Sequence, residues 1–124
     1  MRIFQLFENT TWSFPTTKKY NKAKTRISKS DKVFQKGVAD FEKDVKNYVS
    51  NPTPEEKQEL TRKHNFHLIK QPYGFLAKYG NDWTIYQAHI KNKIKLGNYV
   101  ANVAINKNEK ICEFSDISDH KNTG

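Results

Sequence analysis

One histidine and three lysines in the second half of the chain have the spacing of a single strand face. His89 and Lys91 alternate with Ile90, and Lys93 and Lys95 continue the same parity if the strand runs on. Such a row can neutralise phosphates, and a histidine among lysines has its neutral form favoured, so it can act as a base near pH 7. The alternative is an exposed strand face whose lysines only solubilise the chain, and the spacing alone slightly favours this alternative.

His120 and Lys121 follow the last strand-like segment of the chain. A polar histidine near a C-terminus is usually only solvated. An antiparallel meander can nevertheless bring the end of its last strand beside a neighbouring strand. We therefore predict that His89, Lys91, His120 and Lys121 converge as a catalytic cluster, on the side of the sheet opposite the helix that covers it.

Metal and thiol chemistry have little support in the sequence. Cys112 is the only cysteine, so an internal disulfide and a thiolate zinc site are both excluded. His64 and His67 are three residues apart, but no acidic partner has a convincing spacing for a metal site. We expect no metal and no cofactor, and we expect Cys112 to be a small buried side chain in a strand.

The chain is strongly basic. Its 124 residues include 22 Lys and Arg against 13 Asp and Glu, a formal charge of +9, and its pI is near 9.6. Such a field attracts nucleic acids, although any single charge run can also be a solvated face. No acid lies between Glu8 and Asp31, or between Asp82 and Glu109. The nucleic-acid contacts predicted in these stretches are Lys18, Lys19, Lys22, Lys24, Arg26, Lys93 and Lys95.

Apolar residues at helical spacing predict one long helix that covers a sheet. The stripe consists of Phe34, Val38, Phe41, Val45 and Tyr48. We expect its N-cap at Ser28, with Asp31 closing a capping box. Thr53 and Pro54 begin a second, short and mostly exposed helix. Residues 16–27 are either a loop or a short polar helix.

Strand-like segments occur at residues 2–7, 83–86, 99–105 and 111–114, with a turn at Gly97 and Asn98. The order predicts a single α+β domain over residues 1–124, with two helices of the N-terminal half packed on a curved, mainly antiparallel sheet. A basic polar segment at 15–29 and a polar tail at 116–124 complete it. With one cysteine, no visible leader and no long apolar run, we expect a cytoplasmic protein without a membrane partner.

Several short motifs between residues 34 and 121 have a familiar order. They are Asn51-Pro52, His67-Leu68-Ile69-Lys70, Trp83-Thr84-Ile85-Tyr86, residues 97–105, Ile111-Cys112-Glu113-Phe114 and Ile117-Ser118-Asp119-His120-Lys121. Together they resemble the RelE/ParE superfamily of bacterial toxins, particularly its RelE and HigB types. The resemblance implies a RelE-like fold and a metal-independent endoribonuclease toxin. Such a toxin cuts mRNA on the ribosome and is held in check by a cognate antitoxin.

The resemblance also implies a mechanism. In these enzymes a ribose 2′-hydroxyl attacks the adjacent phosphate, while basic residues move the protons and stabilise the charge. Carried over, the basic pair of the second strand is His89 and Lys91, or Lys93 and Lys95 in a shifted register. The basic end of the last strand is then the His120-Lys121 dipeptide.

One position departs from the family pattern. The family usually has an arginine after the aromatic residue that begins the third strand, whereas here Val100 follows Tyr99. Lysines must then stabilise the transition state, or the chain is inactive, or the resemblance is one of topology. A gyrase poison of the ParE type would share the fold without the nuclease residues. The alternative of another class is a non-catalytic protein that grips nucleic-acid phosphates with its lysines.

Overall fold

The computed structural model describes residues 11–69, 82–92 and 99–119. Within them the chain forms three helices and a four-stranded antiparallel sheet with its strands side by side in chain order. The helices are α1 (Lys18–Ser30), α2 (Lys32–Ser50) and α3 (Pro54–His64). The strands are β1 (His67–Leu68), β2 (Thr84–Ile90), β3 (Tyr99–Asn106) and β4 (Ile111–Asp119). The predicted α+β architecture is confirmed. No helix of the described ranges has the length and apolarity that crossing a bilayer requires.

Most of the basic segment 15–29 is helical. Thr17 is the N-cap of α1, and its hydroxyl accepts a hydrogen bond from the backbone N–H of Tyr20. Tyr20, Ala23 and Ile27 form the buried face of the helix. This narrow apolar stripe stabilises the helix because it packs against the edge of the sheet. The described residues therefore contain three helices, where two were predicted.

Asp31 separates α1 from α2 and caps both helices. Its backbone N–H donates to the carbonyl of Ile27 at 3.1 Å, and its carboxylate accepts the N–H of Phe34 at 2.9 Å. The prediction of Ser28 as the N-cap of the long helix is wrong, because Ser28 lies inside α1 and Asp31 is the N-cap of α2.

The apolar stripe of α2 packs on the sheet as predicted. Its four central members, Phe34, Val38, Phe41 and Val45, are fully buried, and Tyr48 packs at the margin of the same core. The ring of Phe41 meets that of Phe114 in β4 edge to face, with 6.0 Å between the ring centres. α3 begins at Thr53 and Pro54, also as predicted.

Antiparallel pairing assigns each strand residue to one of two sheet faces. The face that packs on the helices carries Tyr86, Ala88, Ile90, Tyr99, Ala101, Val103, Ile105, Cys112, Phe114 and Ile117. The opposite face has three complete rows of cross-strand partners. They are Ile85, Ala104 and Glu113 in the first row, Gln87, Asn102 and Asp116 in the second, and His89, Val100 and Ser118 in the third. We call this side of the sheet the histidine face.

β4 is longer than the sequence predicted. It runs to Asp119, so residues 116–119 of the expected polar tail are strand instead, because they pair with β3 and Ile117 is buried. Residues 120–124 lie outside the described residues, as do the predicted strand at 2–7 and the turn at Gly97 and Asn98.

A bulge in β4 anchors the beginning of α1. The pairing of β3 with β4 shifts at Ser115, which has no cross-strand partner in the register. The Ser115 carbonyl accepts the hydroxyl of Thr17, and the Phe114 carbonyl accepts the Thr17 N–H at 3.2 Å. Residues 13–16 reach this point by running parallel to β4. The sheet edge therefore determines where α1 starts.

Gly37 of α2 lies directly against the chain that leaves β2. A Cβ atom at this position would be 2.7 Å from the carbonyl oxygen of Lys91 and 3.3 Å from its Cβ. The nearest atom belongs to the backbone, so it cannot move aside without shifting α2 or β2. Only glycine permits this close approach.

We predict that Gly37→Ala destabilises the protein although alanine is the better helix former. The clash with the backbone should cost about 1–3 kcal/mol or more, which exceeds the gain of about 1 kcal/mol in helix propensity. Urea denaturation measures the change. Lys36→Ala, at the neighbouring exposed position, is the control and should stay within about 0.5 kcal/mol of the wild type. A stabilised Gly37→Ala variant would contradict the close approach.

A buried histidine joins α2 to α3. The Nε2 atom of His64 is 2.8 Å from a carboxylate oxygen of Asp44, which is also 3.0 Å from the ammonium of Lys63. Burial alone would raise the pKa of Asp44, but the hydrogen bonds from His64 and Lys63 outweigh it and hold the pKa below its usual value. His64 also packs edge to face on Phe41. It is a core residue that links the two helices.

We predict that Asp44→Asn destabilises the protein by about 1–3 kcal/mol at pH 7, because it removes the charged acceptor of two donors. A carboxyl group with a lowered folded pKa stabilises the protein above its unfolded pKa, about 3.9, and this stabilisation is lost as the pH falls through the folded value. The difference in unfolding free energy between wild type and variant should therefore shrink below about pH 4.

Urea denaturation at pH 7 and at pH 3 measures that difference. Asp40→Asn, which changes an exposed carboxylate one turn earlier in α2, is the matched control and should have little effect. An equal loss of stability at both pH values would show that the carboxylate charge is not what matters.

Candidate active site

His89 lies on the sheet face opposite α2. It follows Ala88 and precedes Ile90, both of which are fully buried in the helix-side core, and its cross-strand partner is Val100. The strand alternation therefore puts His89 where the sequence pattern predicted it. The residue is half-buried.

The other predicted members of the cluster are distributed differently. β2 ends at Ile90, so the alternation does not extend to Lys91. The Cβ of Lys91 faces Gly37 of α2, on the helix side, although the residue is exposed as a whole. Of the predicted cluster, the structure therefore describes only His89 and Lys91, and it does not put them on one strand face. Lys93, Lys95, His120 and Lys121 lie outside the described residues.

A second histidine, His67, stands beside His89. It belongs to β1, pairs with Gln87 of β2 and so faces the same side of the sheet. The centres of the two imidazole rings are 6.1 Å apart, and the rings are tilted by 35°. From the sequence, His67 is a possible metal ligand with His64 and a member of one motif of the family resemblance, but not a predicted catalytic residue. Only the register between β1 and β2 reveals that His67 lies beside His89, and residue spacing along the chain does not predict that register.

A hydrogen-bonded polar row crosses the histidine face next to this pair. The side-chain amide of Gln87 donates to Asn102 at 3.4 Å, and Asn102 donates to Asp116 at 2.7 Å. Asp116 in turn lies 3.5 Å from the ammonium of Lys19 in α1. Because Asn102 is buried, these bonds satisfy its amide and hold the row in register. Lys19 therefore neutralises a carboxylate of its own chain.

α1 carries a second candidate surface, a basic stripe on the side of the helix opposite its buried face. Lys18, Lys22 and Arg26 follow each other at intervals of four residues, and Lys29 extends the line. At 1.5 Å per residue the stripe is about 16 Å long. Among the described residues no carboxylate lies within ion-pair distance of these four. By contrast, Lys24 is held by Glu42, at 2.9 Å from one carboxylate oxygen.

The basic stripe and the histidine face are on different sides of the molecule. α1 packs on the helix side of the sheet through Tyr20, whose ring centre is 5.4 Å from that of Phe114. The stripe points away from that contact, and the histidines lie behind the sheet. Of the predicted phosphate contacts in this segment, Lys18, Lys22 and Arg26 therefore remain available together, whereas Lys19 and Lys24 have acidic partners.

The predictions about the single cysteine and about a metal site concern residues away from His89. Cys112 is fully buried in β4, and burial raises the pKa of its thiol to about 12, so it is the small strand residue that the sequence predicted. His64 is turned into the core by Asp44, away from His67. Within the described ranges no group of three metal-ligating side chains comes together.

A cavity of about 340 Å³ lies at the end of α2, on the helix side of the sheet. Trp12, Tyr48, Tyr86 and Ile105 line it, with Lys107 and Lys110 from the turn between β3 and β4. Its walls come from the helix-side face, so it is not part of the histidine face.

Comparison with known proteins identifies the architecture. No family model and no curated protein sequence matches this chain. A solved structure does: the archaeal RelE-RelB complex from Pyrococcus horikoshii OT3, with a TM-score of 0.55 and 15% sequence identity. The match covers 89% of this chain and 96% of the other. The chain has a RelE-like fold.

Val100 is the position at which the sequence departs from the pattern of the family that it resembles. Val100 is fully buried in β3 and pairs with His89 on one side and Ser118 on the other. No guanidinium can project from this point of the sheet. Any cation that meets a phosphate beside His89 must come from another position.

If the basic stripe binds nucleic-acid phosphates, removing its charges should weaken binding uniformly across sequences. We predict that the triple variant Lys18→Ala, Lys22→Ala, Arg26→Ala lowers affinity for single-stranded RNA. It should also reduce the slope of log K against log salt by about 2. Fluorescence anisotropy over a range of salt concentrations gives both quantities.

The control removes the same charge from scattered positions. Lys36, Lys43 and Lys57 are exposed and lie outside the stripe, so their combined change to alanine should reduce the slope much less. Equal effects of the two triple variants would mean that only net charge matters.

Proposed function

We propose that this protein is the toxin of a toxin-antitoxin pair and that it cleaves mRNA on the ribosome without a metal ion. The observation that carries the proposal is a RelE-like fold with His89 on the sheet face away from the helices. The solved neighbour is a complex of RelE with RelB. By analogy with it, we propose an antitoxin as the protein partner. The charge of +9 favours an acidic surface on that antitoxin.

Cleavage by 2′-hydroxyl attack has three chemical requirements. A base must take the hydroxyl proton, cations must stabilise the charge that develops on the phosphate oxygens, and an acid must protonate the leaving 5′ oxygen. We assign one of the two proton transfers to His89. We propose that His120 and Lys121 supply the remaining groups, with Lys93 and Lys95 as alternative cations.

The course of β4 supports the inclusion of its C-terminal neighbours. Asp119, the last described residue, pairs with Tyr99, whose partner on the other side is Ile90. Two strand spacings amount to about 10 Å, so His120 follows a residue that is already close to the end of β2. Val100 stands where the family usually has an arginine. In this proposal, lysines therefore stabilise the negative charge that develops on the phosphate.

A second function, non-catalytic nucleic-acid binding, is favoured by the basic stripe of α1. Lys18, Lys22 and Arg26 do not depend on His89 and could hold a phosphate backbone by themselves. A gyrase poison of the ParE type would also share the fold. The three functions differ in whether RNA is cut, whether translation is required and whether DNA damage appears.

We predict that induced expression without an antitoxin arrests growth and that primer extension then detects cuts within translated mRNA. His89→Ala should lower the cleavage rate about 10²- to 10⁴-fold while RNA binding persists. Gln58→Ala, an exposed change on α3, is the control and should remain toxic.

Each alternative has its own result. Normal growth at a confirmed high level of folded protein would remove the toxin proposal. Salt-sensitive RNA binding without strand scission would favour the binding protein, and accumulation of cleaved DNA with intact mRNA would favour a gyrase poison.

A further inference from the structure

The two histidines of the histidine face have the arrangement of an acid-base pair. Their ring centres are 6.1 Å apart, His67 is exposed, and both come from neighbouring strands whose pairing fixes their spacing. The 2′ oxygen and the leaving 5′ oxygen of a reacting phosphodiester lie on opposite sides of phosphorus. Two imidazoles on one face can therefore serve both oxygens.

A hydrogen bond determines which nitrogen of His67 can accept a proton. The Nδ1 atom is 2.7 Å from the backbone carbonyl of Asn65. A carbonyl only accepts, so Nδ1 must carry the hydrogen, and in the neutral ring the lone pair is on Nε2. A neutral imidazole with an unprotonated Nε2 has the form of a general base.

The backbone at Asn65 sets this hydrogen bond. Asn65 is the C-cap of α3 and has a left-handed conformation, with φ 51° and ψ 45°. Asparagine adopts this conformation more readily than most residues, and it ends α3 two residues before His67. The helix end therefore aims a carbonyl at the imidazole, much as a buried carboxylate orients a catalytic histidine.

We infer that His67 is the general base and His89 the general acid of the RNA cleavage proposed above, on which this assignment rests. Nε2 of His67 takes the 2′-hydroxyl proton as the bond from O2′ to phosphorus forms. The bond from phosphorus to O5′ breaks, and protonated His89 gives its proton to the leaving 5′ oxygen. The products are a 2′,3′-cyclic phosphate and a free 5′-hydroxyl, with no other reactant.

Two carboxylates of the described strands lie on the same face as the pair. The charged groups on the same face of the described strands are Asp116, which holds Asn102 and Lys19, and Glu113 towards the other end of the sheet. On β2 the titratable group that faces His67 is His89 itself. With this assignment His120 is left with a role in binding or stabilising the phosphate.

The test is the pH profile of ribosome-dependent cleavage by wild type, His67→Ala and His89→Ala. Each variant should lose about 10²- to 10⁴-fold in rate. A base must be neutral to act, so His67→Ala should remove the acidic limb of the profile. An acid must be protonated, so His89→Ala should remove the alkaline limb. Thermal unfolding of each variant checks that the fold persists.

A modified substrate separates the two roles. In an RNA with sulfur in place of the scissile 5′ oxygen, the leaving thiolate needs no proton. This RNA should restore His89→Ala to within about tenfold of the wild type, because only the acid step of about 10²- to 10⁴-fold is bypassed. It should not restore His67→Ala.

The orientation of His67 can be measured without activity. Imidazole nitrogen NMR of the wild type should show neutral His67 protonated at Nδ1. Asn65→Gly, which tolerates the left-handed backbone, should keep this tautomer and the cleavage rate, whereas Asn65→Val should lose both.

Two kinds of failure remain distinguishable. If the wild type cleaves and His67→Ala cleaves equally with an unchanged pH profile, or if His67 is protonated at Nε2, the assignment of His67 is overturned while the toxin proposal stands. If the wild type cuts no RNA with or without ribosomes, the proposed function fails and the assignment fails with it.

Discussion

The antiparallel pairing of β3 with both of its neighbours is the constraint on which the rest of the structure depends. From Val100 to Asn106 the strand is buried throughout, and it pairs residue by residue with β2 and β4. Its helix-side residues receive the apolar stripe of α2, and its other side aligns the polar row through Asn102. A shift of one residue in the register between β2 and β3 would send His89 into the helix-side core.

The same sheet keeps the basic stripe and the histidine face apart. The bulge at Ser115 anchors Thr17, so α1 begins at the edge of β4 and turns its lysine and arginine stripe outwards. His67 and His89 lie on the opposite side of the sheet. Within the toxin proposal, this separation lets one surface hold RNA by charge while the other handles the scissile phosphate. An ion pair between Lys19 and Asp116 joins the two sides.

The element order and the main helix could be predicted from the sequence because they rest on local periodicity. The stripe from Phe34 to Val45 has the spacing of one helix face, and alternation around Ile90 put His89 on the opposite side from that helix. α1 was left open because only Tyr20, Ala23 and Ile27 mark its face among many cations. Lys91 was misplaced because alternation holds only while the strand lasts, and β2 ends at Ile90.

By itself, then, the sequence determined the basic charge, the α+β order and the sheet face of His89, since each depends on composition or on neighbours along the chain. The tertiary structure decided which lysines of α1 have acidic partners, because Asp116 and Glu42 come from distant segments. It also decided that His67 stands beside His89, with its Nδ1 proton held by Asn65. That contact follows from the register of β1 on β2, and no spacing along the chain encodes a register between strands that a long connection separates.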